Sequence, residues 1–158
     1  MCCKLLDIKA LEKPAGEWCT HCSTRQKCDI YLERPQTCHN FNCGYMTQAG
    51  IGEEWKPTHS RMMINFTGDG QHLFILVDPT RPDAWRKAPY LQQMKNWARI
   101  NNPRGQQIIV SINKRYIVIY PDREVDLGPV DVDETVTFTV TQTPNGTMTI
   151  PQKVKITP

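Results

Sequence analysis

The stretch "QQIIVSINKRYIVIY", residues 106–120, predicts two β-strands joined by a tight turn. Both arms, residues 106–112 and 115–120, are rich in β-branched side chains, which favour pleated and half-buried strands. The dipeptide Asn113-Lys114 between them has the length of a two-residue hairpin loop. This hairpin predicts a β-sheet, and the flanking sequence predicts further strands.

Two further hairpins are predicted on either side. Upstream, "RMMINF" (61–66) and "HLFILVD" (72–78) are apolar runs joined by "TGDG", whose Asp-Gly pair is typical of hairpin turns. Downstream, "ETVTFTVTQ" (134–142) alternates between polar and apolar residues, and "TMTIPQKVKIT" (147–157) returns after the turn "TPNG". We therefore expect mostly antiparallel β-structure over residues 61–158.

One amphipathic helix is predicted within this β-rich part, over "PYLQQMKNWARIN" (89–101). Its apolar residues recur every three or four positions and so form one face of a helix: Tyr90, Leu91, Met94, Trp97 and Ala98. Pro89 suits the first helical position, and "NNPRG" ends the pattern. Trp85, in "PDAW", is expected to be an exposed contact residue.

Composition excludes several classes of protein. The 158 residues have the length of one domain, and 39% hydrophobic residues indicate a globular chain. The net charge of +3 is spread without a basic run, so no nucleic-acid partner is expected. Apolar runs such as "LFILV" (73–77) are too short to span a bilayer, and the N-terminus lacks the apolar core of a signal peptide. We expect a cytoplasmic protein that makes no membrane contact.

Cysteine placement carries the functional signal. Seven cysteines occur, two at Cys2 and Cys3 and five in "EWCTHCSTRQKCDIYLERPQTCHNFNC" (17–43), and none follows Cys43. Cys19 and Cys22 form a CxxC pair, which allows two thiolates to bind one metal ion. In a reducing cytosol, clustered thiols indicate metal ligands or redox groups, and an odd number excludes complete disulfide pairing.

Metal would also supply stability that this region lacks. Few large apolar residues lie between residues 17 and 43, whereas zinc ligation contributes roughly 10 to 16 kcal/mol. Pro35 is expected to open a helical turn that carries Cys38 and Phe41 on one side and that Gly44 ends. Cysteines as small buried apolar residues, or as disulfides of a secreted module, are weaker interpretations of such a dense cluster. Mixed ligation involving the neighbouring histidines, His21 and His39, is also less favoured, because thiolates are plentiful.

One segment resembles a known family. "CDIYLERPQTCHNF" (28–41) resembles the signature of the YkgJ-like cysteine-cluster family, described as a zinc- or iron-chelating domain, in which Cys-x-Ile-Tyr, Arg-Pro and a following Cys recur together. "MCCK" resembles the end of that family's opening CxxCxxCC run, and "DPTRPDAWRKAP" (78–89) is similar to a later segment of some members. The resemblance to the cysteine signature covers residues 1 to about 48.

The resemblance implies a metal-binding or iron-sulfur protein. Five cysteines match those of the family: Cys2, Cys3, Cys19, Cys28 and Cys38. Cys22 and Cys43 look like additions shared by a subset of members. The first two cysteines of CxxCxxCC have no counterpart, because the sequence begins at Met1, so either the start is internal or the site is completed differently.

Tyr31 and Arg34 belong to the same signature. In the functional interpretation Arg34 offsets thiolate charge or donates to sulfur, and Tyr31 covers the bound group. In the structural alternative Tyr31 is the main aromatic residue of a small core, and Arg34 caps a turn.

Together these patterns predict an α+β protein: a small irregular cysteine-rich metal-binding region (1–48), a connector (49–60) and a mostly antiparallel sheet with one amphipathic helix (61–158), packed as one unit. The expected function is to hold zinc or an iron-sulfur cluster, with 4Fe-4S favoured, in a structural, electron-transfer or metal-handling role. The alternatives are an iron-sulfur-dependent redox or group-transfer enzyme and a zinc-stabilised module that binds a protein partner. No catalytic residue is predicted, since residues 49–158 contain no recognisable cofactor-binding domain.

Overall fold

The computed structural model of the chain describes residues 1–23, 27–67, 72–143 and 146–156. It contains a five-stranded sheet in the order β1-β2-β3-β4-β5 and a separate two-stranded ribbon, β6-β7. The strands are β1 (Met62–Phe66), β2 (Leu73–Val77), β3 (Ile108–Ile112), β4 (Arg115–Ile119), β5 (Glu124–Pro129), β6 (Glu134–Thr143) and β7 (Gly146–Lys155). The predicted α+β class is confirmed.

The pairing of the strands is antiparallel with one exception. β2 and β3 run parallel, with Leu73 opposite Ile108, and the chain crosses between them through the longest helix, α5 (Tyr90–Asn101). β1-β2, β3-β4, β4-β5 and β6-β7 are all antiparallel. The mostly antiparallel sheet predicted from the sequence is therefore confirmed.

The central hairpin forms where the sequence predicts it. Asn113 and Lys114 both have positive φ, 48° and 71°, as the two-residue turn between twisted antiparallel strands requires. Along β3, Ile108 and Val110 face the helix, whereas Ile109 faces the opposite side of the sheet. All three are almost fully buried, so the hairpin lies at the centre of two packed layers.

Helix α5 covers one face of the sheet. Met94 and Ala98 are completely buried, and Trp97 and Tyr90 pack partly buried against the same core. Pro89 immediately precedes the helix instead of occupying its first position. The core on this face consists of Trp55, Met62, Ile64, Ile75, Val77, Ala84, Trp85, Met94, Ala98, Ile108, Val110, Ile117 and Ile119.

The ribbon covers part of the opposite face. Phe138 of β6 packs against a cluster formed by Ile109, Val118 and Tyr120. The separation of β6 and β7 from the main sheet was not predicted, and neither was β5. The turns predicted at Asp69-Gly70 and Pro144-Asn145 lie outside the described residues.

Trp85 corrects an expectation. It is 1% exposed and belongs to the core beneath α5, whereas the sequence suggested an exposed contact residue. The residue lies in a short 3₁₀ turn, Ala84–Arg86, and the guanidinium of Arg86 lies 4.0 Å from the centroid of its ring. A short polar segment in the sequence can still carry a core side chain when its backbone turns toward the sheet.

Among the described residues, the cysteine-rich region contains three short α-helices, α1 (Cys2–Leu5), α2 (Gln36–Asn40) and α3 (Gly44–Thr47), and the connector that follows contains α4 (Pro57–Ser60). Pro35 precedes α2, so the helical turn predicted there is present. Gly44 begins α3, whereas the sequence suggested that it would end the preceding turn. α2 ends at Asn40, and Phe41 is already extended.

This region packs on the sheet through a small apolar cluster of Leu5, Cys43 and Met63. Met63 lies between Met62 and Ile64, which both face α5, so its side chain points to the opposite face. Contacts from Leu6 and Leu76 enlarge the cluster. The first residues of the chain are therefore placed by the β1-β2 hairpin.

Gly44 lies where a side chain would collide with β1. A Cβ at this position would overlap Ile64 Cγ2 and lie 3.0 Å from Ile64 Cβ. We expect Gly44→Ala to lower the free energy of unfolding by about 1 to 3 kcal/mol, because the buried strand cannot move away freely. Urea unfolding followed by tryptophan fluorescence measures the change.

Gly52→Ala is the matched control. A Cβ at Gly52 meets only the carboxylate end of the Glu54 side chain, which can rotate away. Equal destabilisation by the two substitutions would contradict the close packing of α3 on β1.

Candidate metal centre

Helix α1 presents two neighbouring thiols. Cys2 Sγ and Cys3 Sγ lie 4.0 Å apart. A tetrahedral zinc ion with Zn–S bonds of about 2.3 Å holds its sulfur ligands about 3.8 Å from each other. The spacing of this pair is therefore close to that of two ligands on one ion.

The CxxC loop meets α1 through the backbone. The Cys19 N–H donates to the Cys3 carbonyl at 2.8 Å, and the Cys22 N–H donates to the Cys19 carbonyl at 3.0 Å. Cys22 also pairs with Cys28 in an isolated antiparallel bridge. These contacts bring cysteines that are distant in sequence to the same end of α1.

The two thiols of α1 have strongly divergent pKa values. A hydrogen bond from Cys3 lowers the pKa of Cys2 to about 6, against the effect of burial. The same hydrogen bond, then burial and charge on Cys2 and Cys22, raise the pKa of Cys3. One thiolate therefore forms readily in this pair, and the thiolate is the form that ligates metal.

Cys38 lies near the same group. Burial raises its pKa most, and negative charge on Cys2, Cys28 and Cys19 raises it further. Cys38 lies in helix α2, which follows Pro35. Backbone contacts and mutual electrostatic influence thus link six cysteines, two on α1, two in the CxxC loop, one beyond that loop and one on α2: Cys2, Cys3, Cys19, Cys22, Cys28 and Cys38.

The thiols are gathered without forming a closed site. In the part of the chain that the structure describes, no three His, Cys, Asp or Glu side chains are close enough to hold a metal ion together. Cysteine thiolates are the type of ligand that zinc and iron-sulfur clusters take in proteins.

Cys43 belongs to an apolar cluster. It is 7% exposed, packs against Leu5 and Met63, and immediately precedes α3. Its surroundings are those of a small buried apolar residue.

Tyr31 and Arg34 interact with each other. The Arg34 guanidinium lies 3.7 Å from the centroid of the Tyr31 ring and donates to the Tyr31 carbonyl. Tyr31 is 60% exposed, so it is not the aromatic core of this region. The contacts of Arg34 close a turn beside Cys28.

Two residues that the sequence did not single out attach α1 to the sheet. The Lys4 ammonium donates to Asp78 Oδ1 at 2.6 Å, and both side chains are nearly completely buried. The backbone N–H and hydroxyl of Thr80 donate to the same oxygen at 3.0 and 2.8 Å. The available signals were a lysine directly after Cys3 and the position of Asp78 at the start of "DPTRPDAWRKAP".

A second buried lysine closes the end of α1. Lys13 Nζ donates to the carbonyl of Lys4 at 2.8 Å and to that of Leu6. The Gly16 N–H also donates to the Lys4 carbonyl, at 2.9 Å. Carbonyl groups that a helix leaves unpaired at its end are thereby satisfied.

Comparison with known proteins found no matching family model, curated protein or solved structure. No helix within the described ranges is long and apolar enough to cross a membrane.

We expect Asp78→Asn to lower the free energy of unfolding by about 3 to 5 kcal/mol, because it leaves the buried Lys4 ammonium without its counter-charge. Urea unfolding at neutral pH measures the change. Asp126→Asn is the control, since Asp126 pairs with Arg115 at the surface, and it should change stability little. Similar effects of the two substitutions would contradict a buried, desolvated pair.

The same pair predicts a dependence of stability on pH. Burial alone would raise the pKa of Asp78, but hydrogen bonds from Lys4 and Thr80 outweigh it and lower the pKa. Its contribution is therefore fully present above the ordinary carboxyl pKa of about 3.9 and is lost as the pH falls through the lower folded-state value. The stability difference between wild type and Asp78→Asn should stay constant from neutral pH to about 5 and shrink only below it. A difference that already shrinks between pH 7 and 5 would contradict this.

Proposed function

We propose that this chain is a metal-binding protein whose clustered cysteines hold zinc or an iron-sulfur cluster, with a 4Fe-4S cluster favoured. The observation that supports the proposal is the linkage of α1, the CxxC loop and Cys28 by backbone hydrogen bonds and a β-bridge, with Cys38 of α2 within electrostatic range of these thiols. We infer a cytoplasmic location. In such a reducing compartment, clustered thiols are metal ligands far more often than structural residues.

Cys2, Cys3 and Cys22 are the first candidates for ligands. The sulfur atoms of Cys2 and Cys3 have a separation that suits two ligands of one ion. Charge on Cys22 and a hydrogen bond with its side chain help to raise the pKa of Cys3, so Cys22 lies close to Cys3. A fourth thiolate would come from Cys19, Cys28 or Cys38, and Cys43 is the weakest candidate because of its apolar surroundings. Bound zinc would cross-link the segments that carry these cysteines, whereas a cluster would add the capacity to carry an electron.

A binding or electron-transfer role is better supported than catalysis. A cavity of about 290 Å³ lies between the sheet and the end of α5, lined by residues such as Phe66, His72 and Trp97, and no cysteine lines it. The resemblance of "CDIYLERPQTCHNF" to the YkgJ-like family supports metal binding and indicates no substrate.

Anaerobic purification followed by visible spectroscopy and metal analysis tests the proposal. Brown protein with iron and acid-labile sulfide supports the cluster, and colourless protein with stoichiometric zinc supports the zinc form. Purified protein that contains no metal and has oxidised thiols would contradict metal binding. If the reduced protein also takes up no metal during reconstitution, the proposal is overturned.

Substitution of single cysteines tests the assignment of ligands. We expect Cys3→Ser to lose most of the bound metal, because Cys3 lies beside both Cys2 and Cys22. Cys43→Ala should keep the wild-type metal content, since this thiol packs in the apolar cluster with Leu5 and Met63. Metal content per folded chain, measured by elemental analysis, distinguishes the two, and loss of metal in Cys43→Ala alone would reverse the assignment.

A further inference from the structure

Cys22 and Cys28 lie directly opposite each other in a short antiparallel bridge. On one side of the bridge the Ser23 N–H donates to the Lys27 carbonyl at 2.9 Å. On the other side the N–H that follows Cys28 donates to the carbonyl that precedes Cys22, also at 2.9 Å. The two cysteines are therefore a non-hydrogen-bonded pair, the position at which side chains on adjacent antiparallel strands come closest.

This position has nearly the geometry of a disulfide bond. In non-hydrogen-bonded pairs the Cα atoms lie about 4.5 Å apart. Disulfides join residues whose Cα atoms lie about 4.4 to 6.8 Å apart. Cys22 Sγ lies 3.8 Å from the Ser23 carbonyl, and rotation about one Cα–Cβ bond turns it toward Cys28. The backbone therefore already provides the spacing, and side-chain rotation completes the approach of the two sulfur atoms.

Exposure also favours this pair over its neighbours. Cys22 and Cys28 are both partly exposed, whereas Cys19, the other member of the CxxC pair, is 7% exposed. The sulfur atoms of Cys2 and Cys3 are close as well, but a bond between adjacent residues closes a small ring that includes their planar peptide group. The pair across the bridge is thus the one that backbone geometry and access to solvent both favour.

We propose that Cys22 and Cys28 are a redox-active pair that forms a reversible disulfide, with a small-molecule disulfide as the oxidant. One protein sulfur attacks the oxidant, forms a mixed disulfide and releases one small thiol. The second protein sulfur then attacks the first, forms the Cys22–Cys28 bond and releases the other small thiol. The two protein thiols are oxidised, and their two protons and two electrons pass to the two small thiols.

This bond would compete with metal. Cys22 is a first candidate for a ligand and Cys28 a possible fourth, and a sulfur in a disulfide is no longer the thiolate that ligates metal. Oxidation of the pair would release metal, and bound metal would protect the pair from oxidation. This consequence rests on the proposed function, whereas the disulfide itself rests on the backbone geometry and requires no metal.

Mapping of disulfides in the full-length chain tests the pair. The reduced, metal-free chain is equilibrated with oxidised and reduced glutathione, and its free thiols are then alkylated. Trypsin cleaves after Arg25 and Lys27 and so separates Cys22 and Cys28 into different peptides. Mass spectrometry should find these peptides joined by one disulfide, which fragmentation assigns to Cys22 and Cys28, and dithiothreitol should separate them.

Serine variants test the assignment. Cys22→Ser and Cys28→Ser should each lose nearly all of the linkage between the two peptides. Cys19→Ser is the matched control and should keep the wild-type amount, because Cys19 is buried and lies outside the bridge. The map of the wild-type chain does not depend on the folding of any variant.

Three results would overturn the proposal: a disulfide between Cys19 and Cys22, a disulfide between Cys2 and Cys3 in place of the bridge pair, or no disulfide at any glutathione ratio. A zinc-saturated sample separates this inference from the proposed function. Slower formation of the disulfide with zinc bound supports both. If the chain binds no zinc, the proposed function is contradicted, and the disulfide mapped in the metal-free chain still stands.

Discussion

The buried ion pair between Lys4 and Asp78 is the contact on which the arrangement of the cysteine region depends. An isolated helix of four residues has no stability of its own, so α1 is held in place by tertiary contacts. Lys4 directly follows Cys3, and Asp78 directly follows the last residue of β2. The ion pair therefore fixes the positions of Cys2 and Cys3 relative to the sheet.

The two halves of the molecule rely on different interactions. The sheet and α5 share a core of large buried side chains, among them Trp55, Trp85 and Met94. Among its described residues, the cysteine region contributes two fully buried side chains, Leu5 and Cys43, to a small cluster with Met63, and further partly buried side chains pack around it: Met1, Leu6, Phe41 and Tyr45. Apolar burial can stabilise the sheet and α5 without a ligand. The cysteine region has fewer large buried side chains, and small domains with so few apolar contacts are commonly stabilised by bound metal.

Local sequence patterns were sufficient to predict the β3-β4 hairpin and helix α5. The β3-β4 hairpin and α5 follow from the spacing of apolar residues and from the turn at Asn113-Lys114. β5 escaped prediction because it contains Gly128 and Pro129 and depends on irregular pairing with β4, where the register shifts between Tyr116 and Ile117. Its strand conformation comes from its neighbour and not from its own residues.

The site shows the same division between local and distant determinants. The density of cysteines predicted a group of thiols, but spacing cannot distinguish Cys43, whose neighbours are apolar, from Cys38, whose neighbours are other thiols. Lys4 and Asp78 are separated by 74 residues, so no short motif could reveal their pairing. Lys13 has no local signal either, because the carbonyls of Lys4 and Leu6 that accept hydrogen bonds from its ammonium belong to the end of α1, and only the folded chain brings them to this side chain.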